Sequence, residues 1–453
     1  MSEEVTLDEF ADSSDSADTQ KRLESRFWGE VPDHWELVNG SDVYEVNPNP
    51  KPNEEPNTYI EMDALDTELP YPEYFGERNA SEYSGKTFTK GDTLFARITP
   101  CTENGKAALV PEMDTEVGIG STEYAVLSPR TDRINSWLLY YLSKSHPIHN
   151  YAISRMRGST GRQRVPFSVF RRELDIALPP LSEQRKIATV LYNIDQAIEK
   201  TESVIRHYED LQTGLLRKHF GKSSVQIDYP EERVDKRLGP KTYNVPEDWE
   251  VVQVADIGEV VTGDTPSTKN KEYYGGDLPF VTPEDFGDTK RVHRGSRRLT
   301  DEGREKARPI PEDAVMMDCI GMDMGKVRIA GREIATNQQI NSVIVNTEEM
   351  LPEFLYFHLK AISNLIQSQA GQTRTPIVSK SQFSSFEIFN PPISTQRDVV
   401  NSLNVFDDLI EKESEYATQL RRLKRGLMQD LLSGTVRTTD TNIPVPEEIT
   451  RYG

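Results

Sequence analysis

The stretch Pro179-Pro-Leu-Ser-Glu-Gln-Arg185 decides the fold, because it returns 212 residues later as Pro391-Pro-Ile-Ser-Thr-Gln-Arg397. In each copy the two prolines stop a preceding strand, and the serine is a suitable helix N-cap. Apolar residues then recur at helical and heptad spacing over about 38 residues, which corresponds to a helix roughly 57 Å long. The sequence therefore predicts two long helices, at residues 181–222 and 391–434.

Three further landmarks recur in the same order and make the two helices the ends of two tandem repeats. A Val-Pro-x-x-Trp-Glu string opens each repeat, a Gly-Lys turn follows a strand-like run, and an aromatic string lies in an amphipathic segment. These landmarks are Val31–Glu36 and Val245–Glu250, Asn104–Lys106 and Met324–Lys326, and Leu139–Tyr141 and Leu355–Phe357. An internal duplication with a period near 212 residues follows. We interpret Trp35 and Trp249 as core anchors and the aromatic strings as buried helix faces.

Each long helix carries an apolar stripe that must be buried. Two interpretations are open: the stripes pack against each other, or each helix packs on its own globular domain. We favour the first, because two near-identical stripes in one chain are natural partners. With a whole domain inserted between them, the two helices are predicted to form an antiparallel, coiled-coil-like pair with pseudo-two-fold symmetry.

The segments between these landmarks mix alternating strand-like runs with a few amphipathic helices and many turn residues. Each repeat therefore predicts an α+β domain before its long helix, and we call these two domains the heads. The predicted division of the chain is an acidic disordered tail at 1–26, a first head at 27–180, the first long helix at 181–222, a linker at 223–240, a second head at 241–390, the second long helix at 391–434 and a C-terminal tail at 435–453.

The bulk composition excludes several classes of protein. No stretch of the 453 residues approaches the roughly 20 apolar residues of a membrane span, and the acidic N-terminus is unlike a signal peptide. We therefore expect a cytoplasmic protein that does not enter a membrane. The two cysteines, Cys101 and Cys319, are far apart and the seven histidines are scattered, so neither a disulfide framework nor a metal site is predicted.

A net charge of −21 argues against nucleic-acid binding unless the basic residues are segregated. They are: residues 151–172 hold six arginines and no acid, and residues 291–308 hold seven basic residues against three acids. Forked guanidinium donors, glycines and hydroxyls in the turn Arg155–Arg164 suit contact with DNA, with Arg162 or Arg164 pairing with guanine and Gln163 with adenine. The alternative is a solvated loop of an acidic protein.

The predicted DNA contacts extend from this turn to the second head. There Arg291, Arg294, Arg297 and Arg298 form an arginine patch that we expect to clamp phosphate, and the alternative is a solvated charged face. Lys106 and Lys326 follow tight turns and are predicted to reach phosphate, and the string Gly371–Thr375 occupies the place of the arginine turn. The full set of candidates is Arg155, Arg157, Arg162, Gln163, Arg164 and Lys106, with Arg291, Arg294, Arg297, Arg298, Lys326, Gln372 and Arg374.

Strings in both repeats resemble the specificity subunits of type I restriction-modification systems. They are Lys90–Thr99, Glu103–Lys106, Gly120–Glu123 and Leu178–Arg185 in the first repeat, and Gly263–Ser267, Tyr274–Asp277, Thr336–Gln339 and Leu431–Gly434 in the second. The resemblance covers nearly the whole chain. It implies two target recognition domains, each reading one half of a bipartite site in double-stranded DNA.

The resemblance also implies a division of labour within a complex. The long helices would fix the spacing of the half-sites and dock two methyltransferase subunits, through which restriction subunits join. Helix residues expected to serve this docking are Ile187, Leu191, Ile194, Val399, Leu403 and Phe406. The chain itself would hold no catalytic residue, no metal and no cofactor, because S-adenosylmethionine, ATP and Mg²⁺ would be used by the partner subunits.

Two rival functions remain at this stage. Asn390-Pro-Pro-Ile393 resembles the signature of adenine methyltransferases, which would make the chain a stand-alone enzyme. No Gly-rich cofactor loop precedes it, and the matching residue of the first repeat is Leu178, so we favour a strand stop before a helix. A two-headed protein scaffold that does not bind DNA is the second rival, and the paired arginine clusters argue against it.

Overall fold

The computed structural model describes residues 24–25, 27–54, 56–81, 84–159, 161–220, 233–287, 289–321, 324–370, 376–439 and 441–452. The chain divides into two compact units. Unit 1 comprises Met1–Lys200 and Ala417–Gly453, and unit 2 comprises Thr201–Tyr416. Each repeat therefore supplies one head to one unit, while the long helices contribute to both.

Unit 1 is built on short strands that form small sheets. The strands are β1 Glu24–Ser25, β2 Gly29–Glu30, β3 Glu36–Asn39, β4 Tyr44–Val46, β5 Asn57–Ile60, β6 Gly76–Arg78, β7 Lys86–Thr89, β8 Thr93–Ala96, β9 Ala107–Leu109, β10 Val117–Gly120, β11 Tyr124–Pro129 and β12 Asp175–Leu178. Their orders are β1-β2, β6-β5-β10-β7, β4-β11-β8-β9 and β12-β3.

Unit 2 repeats this arrangement. Its strands are β13 Arg233–Leu238, β14 Lys241–Pro246, β15 Glu250–Gln253, β16 Gly258–Thr262, β17 Tyr274–Val281, β18 Arg291–Val292, β19 Arg297–Leu299, β20 Pro309–Ile310, β21 Val315–Asp318, β22 Val327–Ala330, β23 Ile334–Thr336, β24 Ile340–Val345 and β25 Glu387–Asn390. Their orders are β13-β14, β15-β25, β16-β24-β21-β22-β18 and β19-β17-β23-β20.

Apart from the additional edge strand β18 of unit 2, the orders of the two larger sheets match between the units and confirm the internal duplication. The order β4-β11-β8-β9 corresponds to β16-β24-β21-β22, and β6-β5-β10-β7 corresponds to β19-β17-β23-β20. Even the one parallel pairing of each second sheet recurs, between β5 and β10 and between β17 and β23. The Gly-Lys turns join antiparallel strands as predicted, and Gly105 and Gly325 adopt the positive φ values of 75° and 102° that such turns require.

Both units contain helices, and the two long helices have residues in each unit. They are α1 Gly40–Val43, α2 Ser136–Lys144, α3 His146–Ser154, α4 Leu181–Phe220, α5 Asp301–Arg304, α6 Pro352–Gln369, α7 Lys380–Ser384, α8 Ile393–Leu432 and α9 Glu447–Thr450. Short 3₁₀ turns lie at Met62–Ala64, Val254–Asp256, Lys271–Tyr273 and Pro283–Asp285, and a π turn lies at Val169–Glu173. The mixed helix and sheet content confirms the predicted α+β class.

The long helices α4 and α8 pair in opposite directions, as predicted. In unit 1 the first half of α4 meets the second half of α8, where Lys424 Nζ lies 2.5 Å from Asp195 Oδ1. In unit 2 the second half of α4 meets the first half of α8, where Gln212 Nε2 donates to Asp407 Oδ1 at 2.7 Å. Asp195 and Gln212 each lie 212 residues before Asp407 and Lys424, so the contact is duplicated along with the sequence.

A buried glutamine explains the Pro-Pro-x-Ser-x-Gln string. In unit 1, Gln184 accepts the N–H of Asn135 at 2.8 Å and donates to the carbonyl of Pro179 at 2.8 Å. In unit 2, Gln396 accepts the N–H of Leu351 and donates to the carbonyl of Pro391. The helices begin at Leu181 and Ile393, so the predicted serine N-caps lie inside the first turn instead. The glutamine thus ties the start of each long helix to the start of α2 or α6.

The remaining predictions about the core are confirmed. Trp35 and Trp249 are 3% and 1% exposed, and the aromatic strings of α2 and α6 are buried. The Asn390-Pro-Pro-Ile393 string ends β25 and precedes α8, and the Asn390 side chain accepts a hydrogen bond from Gln396 at 3.0 Å. It is therefore a strand stop, as we expected.

Two segments predicted as a linker and a tail carry structure. Within the linker prediction 223–240, residues 223–232 lie outside the described residues, whereas β13 begins at Arg233 and pairs with β14. Within the tail prediction 435–453, Ile449 and Tyr452 lie in the core of unit 1, and Ser136 donates its N–H to the Tyr452 carbonyl at 3.0 Å. Most of the predicted acidic tail, residues 1–23 and 26, lies outside the described residues.

Candidate nucleic-acid interface

The arginine turn of unit 1 is a tight hairpin held by its own backbone. Arg157 and Arg164 exchange two backbone hydrogen bonds of 2.9 and 2.8 Å. Gly158 has φ +135°, and a Cβ there would lie 2.7 Å from the Arg162 carbonyl oxygen, so the turn requires glycine at this position. The side chains of the turn are therefore presented from a fixed backbone.

This turn is attached to the end of strand β8. The N–H of Thr99 donates to the carbonyl of Gln163 at 3.0 Å, and the N–H of Val165 donates to the carbonyl of Arg97 at 2.8 Å. Arg97 in turn donates its own N–H to the carbonyl of Glu123, just before β11. Three sequence-distant segments thus meet at one edge of the head.

The predicted arginines of this turn fall into two groups. Arg164 donates from Nε and Nη2 to Glu123 at 2.7 to 3.0 Å, and Arg155 pairs with Glu173 at 2.9 Å. The hydrogen bond from Arg164 is the main cause of the lowered pKa of Glu123. Arg157 and Arg162 are exposed and make no ion pair with any described residue.

This division corrects part of the sequence prediction. Because Glu123 occupies the Nε and Nη2 donors of Arg164, that fork is not open to guanine while the ion pair persists. The guanidinium of Arg162 remains free to pair with guanine. Gln163 is half-buried, and its backbone carbonyl accepts the N–H of Thr99. Lys106 turns back to the head, where it donates to the carbonyl of Met62 at 3.2 Å and lies 3.8 Å from Asp63.

The arginine patch of unit 2 is also divided. Arg291 pairs with Asp313 at 2.6 Å and with Glu353 at 2.7 Å, so it is a structural ion pair instead of the predicted free phosphate clamp. The guanidinium of Arg297 lies 5.0 Å from the centroid of the Phe280 ring. Arg294 and Arg298 are exposed without an ion pair to a described residue, and Lys326 is also exposed.

The edge of the second head repeats the frame of the first. The N–H of Val378 donates to the carbonyl of Cys319 at 2.8 Å, and the N–H of Cys319 donates to the carbonyl of Gln339 at 2.8 Å. Ile377 forms a β-bridge with Ile320, as Arg164 does with Ile98. Cys319, Gln339 and Ile377 therefore occupy the places of Arg97, Glu123 and Arg164. The candidates Gln372 and Arg374 lie outside the described residues.

The helix residues expected to dock partners are largely internal. Ile187 and Leu191 lie in the core of unit 1, and Val399 and Leu403 lie in the core of unit 2. Their side chains stabilise the chain's own fold and present no surface to another subunit, which corrects the prediction for these four. Ile194 and Phe406 are half-buried.

Sequence reasoning gave no role to Lys86, Arg97, Glu123 or Phe167, which the fold brings to the arginine turn. Arg97 and Glu123 stood inside strings that resemble a known family, but spacing along the chain does not show that they meet. Lys86 and Phe167 are distant in sequence, with strands β8 to β11 and helices α2 and α3 between them. No sequence motif indicated that they are neighbours.

The described residues also show the arrangement of metal-ligating groups, thiols and apolar helices. Within the described ranges, no three His, Cys, Asp or Glu side chains lie close enough to hold a metal ion. Cys101 is half-buried and Cys319 is buried, and both are free thiols. No helix in the described part of the chain is long and apolar enough to cross a membrane.

Comparison with known proteins agrees with the duplicated architecture. The model of the type I restriction modification DNA specificity domain matches twice, at residues 32–205 and 246–422. The chain is 25% identical over 426 residues to the MjaX specificity subunit of Methanocaldococcus jannaschii, a provisionally assigned type I restriction enzyme subunit, which covers 90% of this chain and 95% of that one. It is 26% identical over 438 residues to the type I restriction enzyme HindI specificity subunit of Haemophilus influenzae, which covers 83% of this chain and 93% of that one.

A solved structure supports the fold. A chain from a type I R-M system, studied for its complex assembly and conformational transition, superposes with a TM-score of 0.52 at 19% identity, over 90% of this chain and 100% of that one. The two family matches span well over half of the sequence, one in each head. The chain therefore belongs to the type I restriction-modification DNA specificity family.

Proposed function

We propose that this chain is the subunit that reads a bipartite double-stranded DNA site for a type I restriction-modification complex. The observation that carries the proposal is the duplicated edge. Both heads hold the same backbone frame at the end of β8 and β21, while the side chains on it differ. Two recognition sites with one frame and two surfaces suit a DNA sequence with two different halves.

Base readout in the first head is assigned to Arg162 and Gln163. A guanidinium fork matches the O6 and N7 acceptors of guanine, and an amide matches the N6 and N7 groups of adenine. We assign a phosphate contact to Arg157, which is exposed and whose backbone pairs with that of Arg164 across the hairpin. In the second head, Arg294 and Arg298 are exposed and make no ion pair with a described residue, and we assign the corresponding phosphate contacts to them.

We assign this chain a recognition role without catalysis. The heads belong to a DNA specificity family, and Asn390-Pro-Pro, the one string that resembled a methyltransferase, is used as a strand stop. Two methyltransferase subunits would carry S-adenosylmethionine, and restriction subunits would use ATP and Mg²⁺. Ile194 and Phe406, which are half-buried on the long helices, are the remaining helix candidates for docking the methyltransferases.

The test is a genome-wide map of N6-methyladenine in the host, with the gene intact and deleted. The proposal expects one split motif with a fixed gap to lose its methylation on deletion. Exchanging residues 27–180 for those of a relative should then change one half of the motif only. Persistence of every methylated motif in the deletion strain would contradict the proposal and favour a scaffold that does not read DNA.

A further inference from the structure

A cluster of cations surrounds one aromatic ring beside the arginine turn of unit 1. The guanidinium carbon of Arg97 lies 4.1 Å from the centroid of the Phe167 ring. Lys86 Nζ lies 5.0 Å and the guanidinium carbon of Arg171 5.8 Å from the same centroid. Three positive side chains from three separate segments therefore converge within 6 Å of one half-buried ring.

The fold fixes each member of this cluster. Lys86 begins β7 and is paired in the sheet with Gly120 of β10. Arg97 follows β8 and donates from Nη1 to the carbonyl of Val165 at 2.8 Å, two residues before Phe167. Arg171 lies in the π turn that follows Phe167. The convergence is thus a property of the sheet and its connections.

The charge of this cluster is poorly compensated. Among the described residues, Glu123 is the one carboxylate within 4 Å of a cation of this cluster: it lies 3.6 Å from Arg97 Nη2 but is already paired with Arg164 at 2.7 Å. Lys86 and Arg171 make no ion pair with any residue in the described part of the chain. Burial lowers the pKa of Lys86, and Arg97 and Arg171 lower it further. Like charges brought together in this way repel each other, and an anion placed among them would remove that cost.

We propose that Lys86, Arg97 and Arg171, gathered around Phe167, bind a backbone phosphate of DNA. This inference rests on the proposed function and extends it, because it assigns a phosphodiester site to residues that were not among the predicted DNA contacts. Phe167 holds the cations by cation–π contact and covers one side of the site. Val165 connects the site directly to the arginine turn, so a phosphate bound here would fix the register of the bases that Arg162 and Gln163 read.

The second head has no equivalent of this site among its described residues. Cys319, which takes the place of Arg97, is buried and uncharged. Val378 takes the place of Val165, and two residues further on Lys380 takes the place of Phe167, so the aromatic platform is missing. Among the described residues, the phosphate site therefore occurs in the first head and is not a general property of the shared frame.

The experiment uses the full chain and a fluorescent duplex of random sequence, about 40 base pairs or four helical turns long. Affinity is measured over a series of KCl concentrations for the wild type, Lys86→Gln and Arg171→Gln. Arg130→Gln is the matched control, because it also removes one exposed arginine. Arg130 follows the end of β11, whereas Glu123, beside the cluster, precedes its start. Arg97 is left intact because it also holds the Val165 carbonyl.

Each cluster variant is expected to weaken binding and to reduce the slope of log K against log [KCl], by about 0.9 if one phosphate contact is lost. Arg130→Gln should leave the slope unchanged, and Lys86→Arg should restore it. The base preference of the protein should not change, since phosphate contacts are independent of sequence. If both Gln variants keep the wild-type slope and affinity, the phosphate site is wrong while the proposed function stands. If the wild type itself shows no salt-dependent binding, both are overturned.

Discussion

The two heads of this protein have the same backbone frame and different surfaces. At the edge where three segments meet, Arg97, Glu123 and Arg164 of the first head stand where the second head has Cys319, Gln339 and Ile377. The backbone hydrogen bonds at these positions are the same, but one set of side chains is charged and the other carries no charge. In the proposed function, this frame positions the residues that read DNA, and the side chains on it differ between the two half-sites.

The two units also differ in how deeply the equivalent aspartates of the long helices are buried. Asp195 of unit 1 is fully buried next to Lys424, which is 10% exposed, whereas Asp407 of unit 2 is 14% exposed and Lys290 beside it 17%. Removing one partner of a buried ion pair costs about 3–5 kcal/mol, because the other charge is left without compensation. We expect Asp195→Asn to lower the free energy of unfolding by about 3 kcal/mol or more and Asp407→Asn by about 1 kcal/mol.

Urea denaturation checks this order, with hydrogen exchange assigning each transition to its unit. Equal losses in the two variants, or a larger loss in Asp407→Asn, would contradict the difference in burial on which the prediction depends.

His358 should make unit 2 sensitive to acid, whereas unit 1 has Leu142 at the equivalent position. Burial lowers the pKa of His358 to about 4, and its Nε2 accepts the N–H of Phe389 at 2.9 Å. As the pH falls through about 6.5, His358 becomes protonated in the unfolded chain, whereas in the folded chain it stays neutral until about pH 4. The free energy of unfolding of unit 2 should therefore fall across this window, by up to about 3 kcal/mol.

The measurement is the stability of unit 2 at about pH 7 and about pH 4.5 for the wild type and His358→Leu. The variant should be less stable at neutral pH, because the Phe389 N–H loses its acceptor, but less sensitive to acid. An unchanged pH dependence in His358→Leu would assign the acid sensitivity to another group, such as His219, whose pKa burial also lowers to about 4.

Within the arginine turn, we expect Arg162 to read a base and Arg164, which is paired with Glu123, to position the turn. Arg162→Ala should cost about 1–3 kcal/mol of DNA-binding free energy, which is about 5-fold to 150-fold in affinity, and only for sites that carry the correct first half. Competition with duplexes altered in one half-site at a time measures this effect. A loss that is equal for all sequences would make Arg162 a phosphate contact instead.

Glu123→Gln gives the first head the side chain that the second head has at the equivalent position, Gln339. Of the variants considered, it should lower the free energy of unfolding least. The ion pair with Arg164 is partly exposed, at 21% for Glu123 and 39% for Arg164, so the loss should be about 1 kcal/mol or less. Arg164 would then be released, and the base preference at the first half-site should broaden. Thermal unfolding and a methylation map of the variant check the two parts, and an unchanged motif would show that Glu123 does not position the turn for reading.

The parts of this fold that repeat could be predicted from the sequence, and the parts that depend on distant contacts could not. The Pro-Pro strings, the Gly-Lys turns and the two apolar stripes predicted the long helices, the hairpins and the antiparallel pairing. The burial of Ile187 and Val399 was not foreseen, because a heptad stripe does not tell whether a helix faces another subunit or its own head.

The candidate interface was predictable only in outline. The arginine turn stands out in sequence as a basic run in an acidic chain. Which arginines are neutralised depends on Glu123 and Glu173, and only the fold brings Glu123 to Arg164, across 41 residues of sequence. The ion pairs of Arg291 have the same origin, because Asp313 and Glu353 are distant in the chain. Local composition shows how many charged residues a segment has, but it does not show which of them form ion pairs in the fold.

Exchange of the turn itself tests the central claim that one frame carries two surfaces. Residues 158–164 and 371–377 are equal in length and end on Arg164 and Ile377, which hold the same place in the frame. Replacing residues 158–164 with the sequence of 371–377 leaves the rest of the first head intact. The methylation map of a host carrying this variant should show a changed first half-site and an unchanged second half-site and gap. A motif identical to that of the wild type, or a change in the second half-site, would contradict the account.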